Sequence, residues 1–296
     1  MKRTAALLLM LLASCVTTSS SRTTSKTTRP GDRLYRKGDE IVICGQLFHT
    51  GAKVVLWMDP GGYDAYRPHR HLDEKNEAPS RGKGAARYGT FRRDLPPDVE
   101  RRVSEQGWDI ADLRQVVNRI VLHYDAAGSS QKCFTVLHDV RGLSAHFMLD
   151  VDGTIYQTLD VKERAWHAGT ANDDSVGIEI ANLGAYPDAE KLGAALGEGD
   201  GVVEGEIQGQ SLYQRPFTNR QYDALARLCV TLCRVLPEIR REFPRGPDGV
   251  VVPAVMPVGG KDFAGILGHY HLTRGKVDPG PAFDWERLEK QMRKLR

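Results

Sequence analysis

Short apolar runs alternate with polar and glycine-rich segments along the chain, and these runs predict a series of β-strands. Four of the runs lie at residues 41–43, 54–57, 120–122 and 176–180. The first two are separated by a glycine-containing segment and predict a hairpin. A second hairpin is predicted at 147–156, because Asp152-Gly153 between two apolar runs is a strong turn signal.

Helical periodicity marks two further segments. Residues 110–117 predict a helix that leads into the strand at 120–122. Thr218 and Gln221 form a capping box for a second helix that runs to about Leu236. The apolar positions of this helix follow its period: Tyr222, Leu225, Leu228, Cys229, Leu232 and Leu236. Strands interleaved with helices predict an α/β layer architecture.

Two long segments lack such a pattern. Residues 59–93 are rich in Pro, Gly and charge and predict mostly loop. Residues 184–215 hold seven glycines and several acidic residues, and predict a long loop or insertion.

Composition and charge exclude some classes of protein. The chain has 41 Lys and Arg against 38 Asp and Glu, a net charge of +3 that argues against a nucleic-acid partner. With 41% hydrophobic and 27% charged residues, the composition is that of a folded protein. No internal apolar run reaches the roughly 18 residues that a spanning helix needs.

The N-terminus has the pattern of a secretory signal. Lys2 and Arg3 precede an apolar stretch at 5–13, and Leu12-Ala13-Ser14-Cys15 resembles the lipobox of bacterial lipoproteins. The resemblance implies that residues 1–14 are removed and that Cys15 is acylated. We therefore expect a periplasmic protein with a lipid anchor, and Val16 after the cysteine favours the outer membrane. An ordinary cleaved signal with an incidental cysteine is the alternative.

The segment after this cysteine predicts a tether. Ten of the fifteen residues 16–30 are Ser or Thr, so 15–30 cannot bury enough apolar surface to order itself. Beyond Cys15, four cysteines allow three full disulfide pairings. Cys229 and Cys233 lie four residues apart in the predicted helix and are interpreted as core residues. The sequence leaves open whether Cys44 and Cys133 form a disulfide.

Two histidines and an aspartate suggest metal chemistry. His123 ends an apolar strand, and His269 follows another apolar run. Asp278 stands nine residues after His269, before a proline. Two imidazoles and one carboxylate suit tetrahedral Zn²⁺ with a fourth position left for water. This spacing alone is weak evidence.

Four segments together carry a resemblance: 143–157 (LSAHFMLDVDGTIYQ), 164–169 (RAWHAG), 175–182 (SVGIEIAN) and 268–285 (GHYHLTRGKVDPGPAFDW). In this order they resemble the zinc-dependent N-acetylmuramoyl-L-alanine amidases, which share a fold with peptidoglycan recognition proteins and phage amidases. The resemblance implies a mixed α+β fold, with a central mixed β-sheet flanked by helices and a metal in a surface groove. The amidase domain is then expected at 106–296, preceded by an extension of unknown role at 31–105. That extension is either a small wall-binding element or a segment packed on the sheet.

The resemblance also assigns roles to single residues. It implies that His123, His269 and Asp278 bind one Zn²⁺ and that Glu179 is the general base. Lys276 is expected to stabilise the oxyanion.

Three points stay open. The alternative to a general base is a structural role for Glu179, as the ion-pair partner of Lys276. His271 stands where family members often carry a small polar or acidic residue, and it competes with His269 as a ligand. The spacing from His269 to Asp278 is one residue shorter than in commoner bacterial members, so the loop between them is expected to take a different path. His167 is expected to line the groove and contact peptide or sugar.

The implied activity is hydrolysis of the amide bond between N-acetylmuramic acid and L-alanine, in peptidoglycan or its fragments. The alternative is a non-catalytic peptidoglycan-binding lipoprotein, since recognition proteins of this fold can lack zinc. Retention of the three ligands together with Glu179 and Lys276 favours the enzyme.

Overall fold

The computed structural model describes residues 29–32, 34–67, 88–89, 92–195 and 201–295. The predicted signal, Cys15 and most of the predicted tether lie outside the described residues. By its contacts the chain divides into Met1–Tyr35 and a compact unit, Arg36–Arg296, which holds the sheets and helices described below. In the described part of the chain, no helix combines the length and apolarity needed to cross a membrane.

The strands, in chain order, are β1 Glu40–Ile43, β2 Gln46–His49, β3 Val54–Leu56, β4 Tyr88–Gly89, β5 Arg119–Tyr124, β6 Phe147–Leu149, β7 Ile155–Gln157, β8 Arg164–Ala165, β9 Ser175–Ile180, β10 Ala185–Tyr186, β11 Val203–Ile207, β12 Gln210–Gln214 and β13 Gly265–Gly268. The α-helices are α1 Pro97–Gln106, α2 Ile110–Val116, α3 Ser130–Phe134, α4 Ala189–Ala195, α5 Asn219–Val235, α6 His269–Leu272 and α7 Trp285–Lys294. A π-helical turn, Thr135–Val140, continues α3, and 3₁₀ turns lie at Gly169–Asp173 and Pro257–Gly260.

A six-stranded sheet in the order β13-β5-β9-β6-β7-β3 forms the centre of the fold. Neighbours from β13 to β6 run parallel, β7 is antiparallel to β6, and β3 is parallel to β7. This arrangement confirms the predicted mixed sheet. The predicted hairpin with a turn at Asp152-Gly153 is confirmed as β6–β7.

The predicted hairpin between 41–43 and 54–57 is wrong. β1 pairs instead with β2, through a turn at Cys44-Gly45 where both φ angles are positive, as two-residue hairpin turns require. The four residues of β2 are exposed or half-exposed, so they lack the apolar signal of a buried strand. β3 joins the edge of the central sheet, and the segment expected to be an extension therefore supplies one of its strands.

Helix α5 packs against β6 of the central sheet, and α7 packs against α5. The capping box of α5 is confirmed, because Thr218 Oγ1 accepts from the Gln221 amide and Gln221 Oε1 accepts from the Thr218 amide. The predicted apolar stripe of α5 is buried, and so are Cys229 and Cys233. The four cysteines in the described part of the chain carry free thiols: Cys44, Cys133, Cys229 and Cys233.

The segment 184–215 contains regular structure where the sequence predicts a loop. β10, β12 and β11 form a separate three-stranded sheet in that spatial order. Ile207 and Leu212 anchor this small sheet in the main core, while the glutamates of β11 stay exposed. The strands escape prediction because few of their residues are apolar and glycine interrupts them.

Candidate metal and catalytic site

The parallel strands β13, β5 and β9 bring their carboxyl ends to one edge of the sheet. His123, near the end of β5, is in register with Glu179 near the end of β9. His269 is the first residue after β13, which lies on the other side of β5. Parallel pairing alone therefore gathers three chemically active residues that are far apart in the sequence.

The ligand atoms of His123, His269 and Asp278 converge on one point. Asp278 Oδ2 lies 2.7 Å from His123 Nδ1 and 3.0 Å from His269 Nδ1. The three side chains are buried, and their ligand atoms all lie within 4.8 Å of one another. Ligands about 2.0–2.1 Å from a tetrahedral zinc ion lie roughly 3.3 Å apart, so this donor set fits one such ion. The structure thus brings the three predicted ligands together.

Burial shapes the charges of this site. Although burial alone would raise it, hydrogen bonds from His123 and His269 hold the pKa of Asp278 well below its usual range. Burial lowers the pKa of His123, which favours the neutral imidazole that metals bind. Burial, followed by repulsion from Asp278, raises the pKa of Glu179 well above its usual range.

Glu179 and Lys276 line one pocket of about 360 Å³ together with the three metal-site residues. Glu179 is 8% exposed, while Lys276 is exposed on the loop between α6 and Asp278. Within the described residues no ion pair joins Glu179 to Lys276, as the structural alternative for Glu179 would require. Their roles as base and oxyanion partner stay predictions.

His167 lies beside the metal site as well as in the pocket. Its Nδ1 is 3.0 Å from His123 Nε2, and its Nε2 is 3.3 Å from Ser175 Oγ. If His123 binds a metal through Nδ1, its Nε2 carries the hydrogen and donates to His167 Nδ1. His167 then donates from Nε2 to Ser175, whose hydroxyl donates to the Ala171 carbonyl. The predicted contact of His167 with substrate stays a prediction. Its ring also links His123 by hydrogen bonds to Ser175.

The ring of His271 has different hydrogen-bond partners from the ring of His269. His271 Nδ1 accepts from the Gly268 amide at 2.9 Å, so Nε2 carries the hydrogen that bonds the Val252 carbonyl at 2.9 Å. The ring is fully buried, and burial lowers its pKa to about 4. Both ring nitrogens are occupied, which places His271 outside the cluster around Asp278.

Arg92 forms hydrogen bonds to the segments on both sides of His167. Nothing in the sequence distinguishes it from the other arginines of its polar segment. It is 2% exposed. Its guanidinium donates to five main-chain carbonyls, those of Val161, Glu163, Asn172, Asp173 and Ser175, at 2.8–3.2 Å. A buried cation satisfied by carbonyls is a long-range arrangement that local pattern cannot reveal.

Comparison with known families agrees with this geometry. Residues 113–281 match the N-acetylmuramoyl-L-alanine amidase family, and the chain belongs to that family. The matched region contains His123, Glu179, His269, Lys276 and Asp278.

Two curated relatives and one solved structure are similar to the chain. The 1,6-anhydro-N-acetylmuramyl-L-alanine amidase AmpD of Haemophilus influenzae is 26% identical over 155 residues, which cover 52% of this chain and 60% of the relative. The N-acetylmuramoyl-L-alanine amidase AmiD of Escherichia coli is 25% identical over 210 residues, covering 64% and 60%. A solved complex of E. coli AmiD with anhydro-N-acetylmuramic acid-L-Ala-D-gamma-Glu-L-Lys is 24% identical, covers 59% of this chain and 57% of that one, and has a TM-score of 0.39. The chain thus spans about three-fifths of the length of these curated relatives.

Proposed function

We propose that this protein is a zinc-dependent hydrolase of the amide bond between N-acetylmuramic acid and L-alanine. The observation that carries the proposal is the convergence of His123, His269 and Asp278 beside the pocket that Glu179 and Lys276 also line. The substrate is peptidoglycan or a fragment of it. We take a 1,6-anhydro-muropeptide as the first substrate to test, because a curated relative is named for that group.

A zinc ion held by these three residues would act as a Lewis acid toward the amide carbonyl and supply an activated water. Glu179 takes a proton from the attacking water and delivers it to the departing alanine nitrogen. Its raised pKa makes Glu179 a stronger base than an ordinary carboxylate, which suits a group that must accept a proton and then return it. The Lys276 ammonium stabilises the negative charge that develops on the carbonyl oxygen.

The experiment is product analysis with two substrates. Purified protein is incubated with an anhydromuramyl tripeptide and, separately, with sacculi, and the released peptides are identified by mass spectrometry. We expect peptides with a free N-terminal L-alanine, no release after zinc is stripped, and recovery when zinc is returned. A zinc-loaded protein that binds sacculi but releases no peptide from either substrate contradicts the proposal and favours the non-catalytic binding alternative.

We also propose that acylation of Cys15 anchors the protein to the periplasmic side of a membrane, with the outer membrane favoured. The basic Lys2 and Arg3, the apolar 5–13 and the cysteine itself support this proposal. The Ser/Thr-rich segment would then tether the amidase unit away from the bilayer. Cys15→Ser should move the protein to the soluble fraction while its amidase activity persists. Equal membrane fractionation of the variant and the wild type would refute the anchor.

A further inference from the structure

The hairpin β11–β12 presents a glutamine at its turn. Gln208 and Gly209 form the two-residue connection, with φ angles of 52° and 77°. Such turns favour Asn or Asp before Gly, and a longer side chain at positive φ is uncommon. The geometry of the turn therefore does not explain why residue 208 is a glutamine.

The amide group of Gln208 binds the loop that carries Lys276. Its Nε2 donates to the carbonyls of Tyr270, Thr273 and Lys276 at 3.1, 3.0 and 2.9 Å. Its Oε1 accepts from the Gly275 amide at 3.1 Å. The main-chain amide of Gln208 is itself fixed, because it donates to the Pro253 carbonyl at 2.8 Å. One side chain thus joins both ends of the turn 273–276.

A second glutamine of the same hairpin holds the other side of this loop. Gln214, at the end of β12, is fully buried. Its Nε2 donates to the Pro279 carbonyl at 3.0 Å, and its Oε1 accepts from the Ala282 amide at 2.9 Å. A Cβ atom at Gly280 would lie 2.2 Å from Gln214 Oε1, so the loop and this glutamine are fitted closely together. The hairpin therefore contacts the chain on both sides of Lys276 and Asp278.

We propose that Gln208 is a positioning residue for Lys276, which rests on the proposed amidase function and on the oxyanion role of Lys276. The long Lys276 side chain is exposed, so its ammonium reaches the reacting carbonyl reproducibly only if the main chain beneath it is ordered. The Gln208 amide supplies this order from a segment remote in sequence, and it does so at the Lys276 carbonyl itself. Gln208 contacts no reacting atom.

The test uses the full-length protein, zinc-loaded, with the anhydromuramyl tripeptide as substrate. Gln208→Ala should lower kcat about ten-fold and leave KM within about two-fold, with zinc content unchanged and the protein fully folded at the assay temperature. Gln208→Asn suits the turn better but is one methylene shorter, so it should melt no lower than the wild type and still lose kcat. Gln210→Ala is the matched control, because Gln210 is an exposed glutamine of the same hairpin.

A double-mutant cycle separates positioning from general support of the fold. If Gln208 acts through Lys276, Gln208→Ala should lower kcat no further in a Lys276→Met background. An equal loss in both backgrounds, or a wild-type kcat in Gln208→Ala, would overturn the inference while leaving the amidase proposal intact. A wild-type protein without activity, or a Lys276→Met variant with normal kcat, would overturn the inference together with the role on which it rests.

Discussion

Replacing Gly177 by alanine should weaken zinc binding without touching a zinc ligand. Gly177 lies on β9 between Ser175 and Glu179, and the His167 ring packs directly over it. A Cβ atom at Gly177 would lie 2.6–2.7 Å from three atoms of that ring. Ordinary carbon contacts are about 3.5–4.0 Å, so the ring must retreat by roughly 1 Å.

We expect this retreat to break the hydrogen bond between His167 Nδ1 and His123 Nε2, which is 3.0 Å long in the wild type. At about 4 Å the two nitrogens no longer form a hydrogen bond. Loss of the partner that orients a metal-binding histidine typically costs about 10- to 100-fold in metal affinity. That range corresponds to about 1.4–2.8 kcal/mol. Overpacking should also lower the free energy of unfolding by about 1–3 kcal/mol.

Zinc affinity is measured by competition with a chromophoric chelator, and stability by urea unfolding of the metal-free protein. Gly193→Ala is the control, because nothing lies within 4 Å of a Cβ atom at that exposed position of α4. The control should bind zinc as the wild type does. A Gly177→Ala protein with wild-type zinc affinity would refute the link from His167 to the metal site.

Three further predictions concern single residues. Arg92→Met should lower the free energy of unfolding by at least about 3 kcal/mol in urea titrations, because five main-chain carbonyls lose their donor, and Arg92→Lys should recover part of the loss. Burial raises the pKa of Glu163 from 4.5 to about 7, so the folded state retains a proton that the unfolded state releases. The stability that Glu163 contributes should therefore fall as pH rises from 4.5 to 7. The free energy of unfolding of Glu163→Gln, relative to that of the wild type, should rise between urea titrations at pH 5 and pH 8; a constant difference would contradict this. His269→Ala should lose zinc in metal analysis while His271→Ala keeps it, and the reverse result would show that the ligand is misassigned.

The sequence predicts those parts of the fold whose signals are local. Three features are each encoded within a few positions: the Thr218–Gln221 capping box, the Asp152-Gly153 turn, and the apolar strands that end next to a histidine or a glutamate. His123 and His269 stand out because each lies at the end of an apolar run, but their role as metal ligands is implied by the resemblance of the four segments to the amidase family and not by this pattern alone.

Elements with weak apolar patterns or distant partners are not predictable in this way. β2 is exposed, and the 203–214 hairpin mixes glycine and glutamate with few apolar residues. Arg92 and Gln208 act through main-chain groups more than 60 residues away. Nothing within a few positions of such a residue indicates its partner, so only the folded structure can show it.

In the proposed mechanism, the carboxylate of Asp278 holds the metal while that of Glu179 transfers protons. Asp278→Ala should lose zinc and activity together, because a site reduced to two protein ligands retains zinc poorly. Glu179→Gln should keep zinc and bind sacculi, yet release L-alanine-terminated peptide about a hundred- to ten-thousand-fold more slowly than the wild type. The decisive measurement is therefore zinc content and peptide release from the same preparation of Glu179→Gln. Full zinc content with a severe loss of turnover is the predicted result, and a zinc-free protein or near-normal turnover would contradict the account.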